Sequence, residues 1–365
     1  VAEKITTYFF KNYDRANKIY NAKIKIRLIP ETYKTNDFIT EVEQPLINIM
    51  KLLLHLTKTI ETAKNKYKQL CEDIEAQIDL NIITDFQSVI NKLTNLITNI
   101  SLFIEPENIE NTVRWVEIDN EMPKYTSMNS IPIDVSEIFF NNVILPNNSI
   151  IFTSATLTVN KKFDFFMNNL AINKLPKERL IQMILSTPFD FEKQTRLFIP
   201  KDLVSPNDAN FAYNAANFIY QLLITLERNA FILFTAYKQL REILELLRQP
   251  LENKMINVLS QFDKPRMQLL NDFKNLRRTA LFATDSFWEG VDVQGDALEI
   301  VIIVKLPFKT PDDPIIEAKN EMLLKIGKNP FKDYQLPKAI IKLKQGIGRL
   351  IRTKTDKGII VILDK

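Results

Sequence analysis

From residue 46 apolar side chains step by three and four: Leu46, Ile49, Leu53, Leu56, Ile60, Ala63, Tyr67, Leu70 and Ile74. That spacing lays one stripe along a long helix. A second stripe follows at Phe86, Val89, Leu93, Leu96, Ile100 and Phe103. Two long helices and a short connection predict an antiparallel hairpin. Lys58, Lys64, Lys66 and Lys68 read as its solvated face.

The texture changes near residue 111. Short apolar runs rich in β-branched residues predict strands at 149–155, 196–200, 230–235, 256–260, 279–284, 298–304 and 358–363. Amphipathic stretches between them predict helices near 210–227, 237–248, 265–276, 312–326 and 334–351. Strand and helix in alternation imply an α/β fold, a parallel sheet with helices on both faces. Ligands of such sheets sit beyond the carboxyl ends of the strands. The segments that follow the strands therefore carry most interest: 154–156, 235–237, 285–292 and the helix bearing Arg349.

A chain of 365 residues suits two or three domains. Its 48 basic and 44 acidic residues leave a net charge of only +4, so no whole-chain footprint for nucleic acid exists and contacts must be local. Cys71 and His55 are the single cysteine and histidine. They exclude an internal disulfide, which favours a reducing cytoplasm. They also exclude an iron–sulfur or zinc centre of the chain's own, so no metal site is expected. No apolar run reaches the roughly 18–20 residues of a membrane span. The start, Val1-Ala2-Glu3-Lys4, is no signal peptide and reads as a cut edge.

Glycine is scarce: Gly290, Gly295, Gly327, Gly346, Gly348 and Gly358. Gly346 and Gly348 sit beside Gln345, Arg349 and Arg352, which at i, i+4 and i+7 would share one helix face. Paired guanidinium groups on such a face suit phosphate oxygens. The alternative is an exposed helix with two surface arginines. A helix glycine costs about 1 kcal/mol relative to Ala, which argues for a compensating role. The stretch from Thr284 through Trp288, Gly290 and Asp292 to Gly295 follows a predicted strand. Its carboxylates and hydroxyls can meet ribose or a metal-held water, and the Trp288 ring either stacks on a base or anchors the core. Ser154 and Thr156 end an apolar run with hydroxyls able to relay between two sites.

Two motifs are missing from these residues. No glycine is followed by Lys and then Ser or Thr, so there is no phosphate-cradling P-loop. No Asp-Glu-x-His sequence is available to hold Mg²⁺. The closing run Ile359 to Asp364 imitates a strand with a metal-binding Asp, but reads as an ordinary buried strand.

In this order the segments resemble the late motifs of superfamily 2 helicases of the XPD/DinG type, nearer the bacterial DinG branch. Thr153-Ser154-Ala155-Thr156-Leu157 resembles motif III, and Phe234-Thr235-Ala236-Tyr237 resembles motif IV. Phe287-Trp288-Glu289-Gly290-Val291-Asp292 resembles motif V, and Gln345 to Arg352 resembles motif VI. The resemblance implies a helical arch over 1–110, the end of a first RecA-like lobe over 111–185, and a second RecA-like lobe over 186–365. It further implies ATP with Mg²⁺, bound mainly by a part preceding Val1, where the cysteines of an iron–sulfur cluster would also lie. Arg349 and Arg352 would be catalytic and reach the γ-phosphate. Gln345, Gly290 and Asp292 would bind nucleotide, and Ser154 and Thr156 would couple hydrolysis to lobe movement. Thr235, Thr284 and Trp288 would meet DNA, single-stranded or forked, on a monomeric motor running 5′→3′. The competing reading is a non-catalytic, helicase-derived scaffold that binds single-stranded DNA.

Overall fold

The computed structural model describes every residue except 1, 13–22, 75–77, 106–109, 120–125, 285–286, 288–296 and 365. Two compact units divide the chain, Val1–Asp134 with Asp312–Ala318, and Val135–Pro311 with Lys319–Lys365.

The first unit holds α1 (Ala2–Asn12), β1 (Lys23–Arg27), the long helices α2 (Gln44–Asp73) and α3 (Leu80–Ile104), then β2 (Thr112–Asp119) and β3 (Thr126–Pro132). The strands form an antiparallel sheet in the order β1-β2-β3. Period-two alternation gives this sheet two covered faces. Ile24, Ile26, Val116 and Ile118 join Phe9, Phe38, Val42, Leu46 and Phe103 in one core. Val113 and Trp115 point the other way, against Ala318 and Ile315. Lys25 pairs with Asp313 at 3.2 Å on that second side.

The α2–α3 hairpin is present, but its seam is rotated from the expected stripe. Leu46 is buried, whereas Leu56 is 45% and Leu70 60% exposed. Thr57 and Cys71 are buried instead, and Lys64, at the exposed rim of the seam, donates to Gln87 of α3. One antiparallel partner covers one flank of a helix, and here it covers the flank with fewer leucines. Arg114 fastens the base of the hairpin. It is buried, donates to the last carbonyls of α3 (Phe103 O at 2.8 Å, Ile104 O at 3.0 Å) and lies 4.4 Å from the Tyr33 ring centroid.

The second unit is built on β4 (Thr195–Phe198), α4 (Phe211–Leu226), β5 (Ala230–Leu233), α5 (Tyr237–Glu252), β6 (Asn257–Ser260), α6 (Arg266–Asn275), β7 (Thr279–Ala283), β8 (Ile300–Ile303), α7 (Pro314–Lys325), α8 (Leu336–Ile347) and β9 (Gly358–Ile362). The first residues of α7 belong to the other unit. All six strands run parallel, in the order β4-β9-β8-β5-β7-β6. Ala230, Ile232 and Phe234 face a core with α4 and α5, while Phe231 and Leu233 face a core with α6 and the end of α8. α4 and α5 carry the chain one way across the sheet; α6 and α8 bring it back on the opposite face. Uniformly right-handed crossovers require that arrangement.

Three π-helical turns, Ile39–Glu43, Phe140–Ile144 and Phe331–Gln335, each end two residues before a proline: Pro45, Pro146 and Pro337. A proline ring clashes with the carbonyl four residues back and donates no hydrogen bond. A widened turn relieves both faults.

Two expectations need correction. Residues 149–155 form a loop, with Ile151 88% exposed. A strand needs a neighbour for its backbone groups, and no described strand runs beside this segment. The last helix ends at Ile347, not 351. Gly348 closes it by donating to Lys344 O at 2.8 Å, and the chain then turns to bury Leu350 and Ile351.

The amino edge of the sheet is held by one buried polar side chain. Asn229, 3% exposed, donates to Leu276 O and Ala297 O, both at 3.1 Å, and accepts from Thr279 N at 2.9 Å. It thereby ties the starts of β5, β7 and β8. Asn229→Leu removes the side-chain partner of three backbone groups, of which the Thr279 N–H is buried. Chemical denaturation should show a loss of about 3 kcal/mol, with the slope unchanged.

Candidate functional site

The sheet's carboxyl edge gathers several of the singled-out residues. Phe234 donates its N–H to Ala283 O at 2.9 Å, which sets the ends of β5 and β7 side by side. Thr235 and Thr284 follow directly, the first half-buried and the second 2% exposed. Thr284 gives both its N–H (2.7 Å) and its hydroxyl (3.0 Å) to Oε1 of Gln261. Gln261 follows β6, and its own N–H reaches Phe282 O at 3.2 Å. The sequence reading passed over Gln261. Its position one residue beyond a strand in a parallel sheet was the available signal.

Trp288, Gly290 and Asp292 lie outside the described residues. Phe287, between them and Thr284, is buried, and the Arg266 guanidinium sits 5.7 Å from its ring centroid.

Gln345 lies on α8 and is half-buried. Arg349 and Arg352 do not share its helical face, because they come after the helix end. Both are half-buried, not turned to bulk water. Leu350 and Ile351, 2% and 4% exposed, plug the core between them and so fix where the arginines start. The plug needs Gly358 at the start of β9: a Cβ there would overlap Leu350 Cγ and both its methyl groups.

The loop that follows is clamped from two sides. Asp356 Oδ2 accepts from Arg352 N and Thr353 N, both at 2.8 Å. Gln194, buried, donates to Thr353 O and Asp356 O, both at 2.9 Å. Sequence reasoning missed both residues.

Ser154 and Thr156 are set apart, on the loop at 149–158. They make a local turn in which Thr156 N donates to Ser154 Oγ at 3.2 Å. Lys344 Nζ, next to Gln345 on α8, donates to Thr158 O of this loop at 3.2 Å. Asp364 ends the chain's last described stretch, just after β9. Its Oδ2 accepts from Leu306 N at 2.9 Å and closes the loop after β8. Among the described residues no group of three His, Cys, Asp or Glu could hold a metal ion. No described helix is long and apolar enough to cross a membrane.

Partial burial pushes the Asp356 carboxyl up, but hydrogen bonds from the Thr353 hydroxyl and the Arg352 and Thr353 N–H groups outweigh it and hold it below its ordinary value. A carboxyl depressed in the folded state contributes stability that is present above its unfolded pKa and lost as pH falls through the folded one. The stability gap between the unsubstituted chain and Asp356→Asn should therefore be full above about pH 5 and close below about pH 4. Denaturant titrations across that window check it.

Residues 219–365 match the family described as Helicase C-terminal domain. An ATP-dependent DNA helicase YoaA of Haemophilus influenzae is 38% identical over 233 residues, 64% of this chain and 35% of that protein. A 3'-5' exonuclease DinG of Bacillus subtilis is 34% identical over 258 residues, 69% of this chain and 27% of that protein. An ATP-dependent DNA helicase DinG of Photobacterium profundum is 27% identical over 321 residues, 86% of this chain and 46% of that protein. The chain thus spans about a third of the length of the first two. A solved structure titled XPD helicase superposes with a TM-score of 0.53 at 15% identity, covering 79% of this chain and 52% of the other. A second, of XPD without ligand, gives 0.52 at 18%, covering 79% and 59%. At those identities the structures speak for the fold, a RecA-like helicase lobe with a helical insertion. Residues 219–365 are thus a helicase C-terminal domain, in a chain similar in sequence to the DinG and YoaA proteins and similar in fold to XPD helicase.

Proposed function

We propose that this chain is part of an ATP-dependent DNA helicase that moves 5′→3′ on single-stranded DNA and opens duplex or forked DNA as a monomer, in repair or replication. The observation that carries the reading is the arginine segment. A buried leucine–isoleucine plug, a glycine and a clamped loop fix the start and end of Arg349–Arg352. Such rigidity suits guanidinium groups that meet charge as it develops, because preorganised groups need no rearrangement at the moment of reaction.

In this reading Arg349 and Arg352 approach the γ-phosphate of ATP, and Gln345 supports that site from α8. Gly290 and Asp292 contact the nucleotide, and Ser154 and Thr156 couple its hydrolysis to movement. Thr235 and Trp288 face the DNA strand, and Thr284, buried and bonded to Gln261, shapes the edge they stand on. The proposal requires a phosphate-binding loop and Mg²⁺ ligands that these 365 residues do not contain. The described side chains do not group to hold Mg²⁺, so no step is assigned to the ion through them. Bound ATP–Mg²⁺ would supply the electrophilic phosphorus; the arginines would stabilise charge on the transferring group.

An arginine used this way is worth about 10³–10⁵ in rate. In the full-length gene product, Arg352→Ala should lower DNA-stimulated ATP turnover by about 10³-fold or more while leaving the thermal midpoint near that of the parent. A full-length product with no turnover, yet with tight single-strand binding, would establish the scaffold reading in its place. The 365-residue chain alone should show no ATP hydrolysis above a protein-free blank in a phosphate-release assay, with or without oligonucleotide. Measurable turnover would contradict the need for an outside phosphate-binding loop.

A further inference from the structure

The turn after β6 presents one aromatic ring to solvent and holds it still. Ser260 N donates to Asp263 Oδ2 at 2.8 Å, and Phe262 N donates to Ser260 Oγ at 3.3 Å. Arg248 grips both Asp263 oxygens, at 2.9 and 3.1 Å. Gln261, between them, is turned inward to Thr284. The residue left pointing out is Phe262, 42% exposed. A second ring stands beside it: Tyr237, 48% exposed, with centroids 6.1 Å apart and planes at 42°. Arg241 lies one helical turn beyond Tyr237 on α5, its guanidinium 5.0 Å from the Phe262 centroid.

A single exposed ring needs no explanation. A pair of rings on a braced turn, with a cation over one of them, does. Neighbouring charges are largely spent on each other. Lys238 pairs with Glu242 at 3.8 Å, Lys264 with Asp272 at 2.7 Å, and Asp263 is taken by Arg248. Among the described residues Arg241 makes no ion pair, so its charge remains available to a ligand. Strand order places this group. Tyr237 follows β5, Phe262 follows β6, and Thr284 follows β7, which lies between those two strands. The rings thus bracket the threonine at the carboxyl edge, where two strand spacings amount to only about 10 Å.

We propose that Phe262 and Tyr237, with Arg241, form a base-stacking platform for single-stranded DNA. The inference rests on the DNA-binding reading above; it adds Phe262 and Arg241, which no motif marked, and gives Tyr237 of the motif IV segment a stacking role. Aromatic faces accept any base, and a nearby guanidinium supplies charge to the backbone. That combination fits a strand gripped without regard to sequence, as a translocating motor needs.

The test is fluorescence anisotropy of the 365-residue chain with a labelled oligo-dT strand and with an abasic strand of equal length. Phe262→Leu keeps apolar packing and removes the π face; Tyr237→Ala removes the second ring. Each should weaken oligo-dT binding by about five-fold or more, the worth of one lost stacking contact, and leave the abasic strand unaffected. Arg241→Gln should weaken both strands. Thermal midpoints of all three variants should stay near the parent's, and the conservative Phe262→Leu keeps the result readable if a harsher change unfolds the turn. Oligo-dT affinity unchanged in both Phe262→Leu and Tyr237→Ala overturns the platform while leaving DNA binding in place. No oligo-dT binding by the unsubstituted chain overturns the platform and the DNA-contacting role of this edge together.

Discussion

A parallel strand covered by helices on both faces has no side on which to keep a polar group. β5, β7 and β8 are buried at every position, and their residues divide between two separate cores. Burying an uncompensated polar group costs about 1–3 kcal/mol in proteins, so such strands stay apolar except at Thr279, which opens β7 with its N–H and hydroxyl both hydrogen-bonded. Chemistry is displaced to their ends. The two ends are then put to different uses. At the amino edge Asn229 meets several strands and is consumed entirely by backbone. At the carboxyl edge Gln261 and Asp364 fix the turns, and other side chains remain partly open: Thr235, Tyr237 and Phe262.

This constraint explains what could be read directly. Short β-branched runs bounded by polar residues became β4 through β9, and the amphipathic stretches between them became their crossover helices. Residues 149–155 have the same composition and form no strand, because pairing depends on a neighbour and not on the segment itself. The hairpin stripe was also incomplete as a guide. Periodicity showed that α2 has an apolar side, but which flank faces α3 is settled by the partner, and here Thr57, Lys64 and Cys71 were taken over Leu56 and Leu70.

The candidate site shows a similar division. Arg349, Arg352 and Gln345 were visible as residue types, but their i, i+4, i+7 spacing carried weight only on a continuous helix. The helix that would have carried all three stops short, because Gly348 ends it and Leu350 is drawn into the core. The groups that hold the arginine loop were invisible for a different reason. Gln194 reaches Asp356 across 162 positions of sequence, and Gln261 reaches Thr284 across 23. Nothing local distinguishes either glutamine from one on the surface. Only the sheet order, which brings β4 beside β9 and β6 beside β7, makes them neighbours.

The contact of Leu350 with Gly358 carries a consequence for how such a chain can change over time. A bulky residue at one position is tolerated only because the other has no side chain at all. The two sites therefore form one heritable character. A lineage that gains a methyl group at 358 must shrink residue 350 in the same step or pass through a poorly folded ancestor. Sequences related to this one should vary at these two places in concert or hold both fixed.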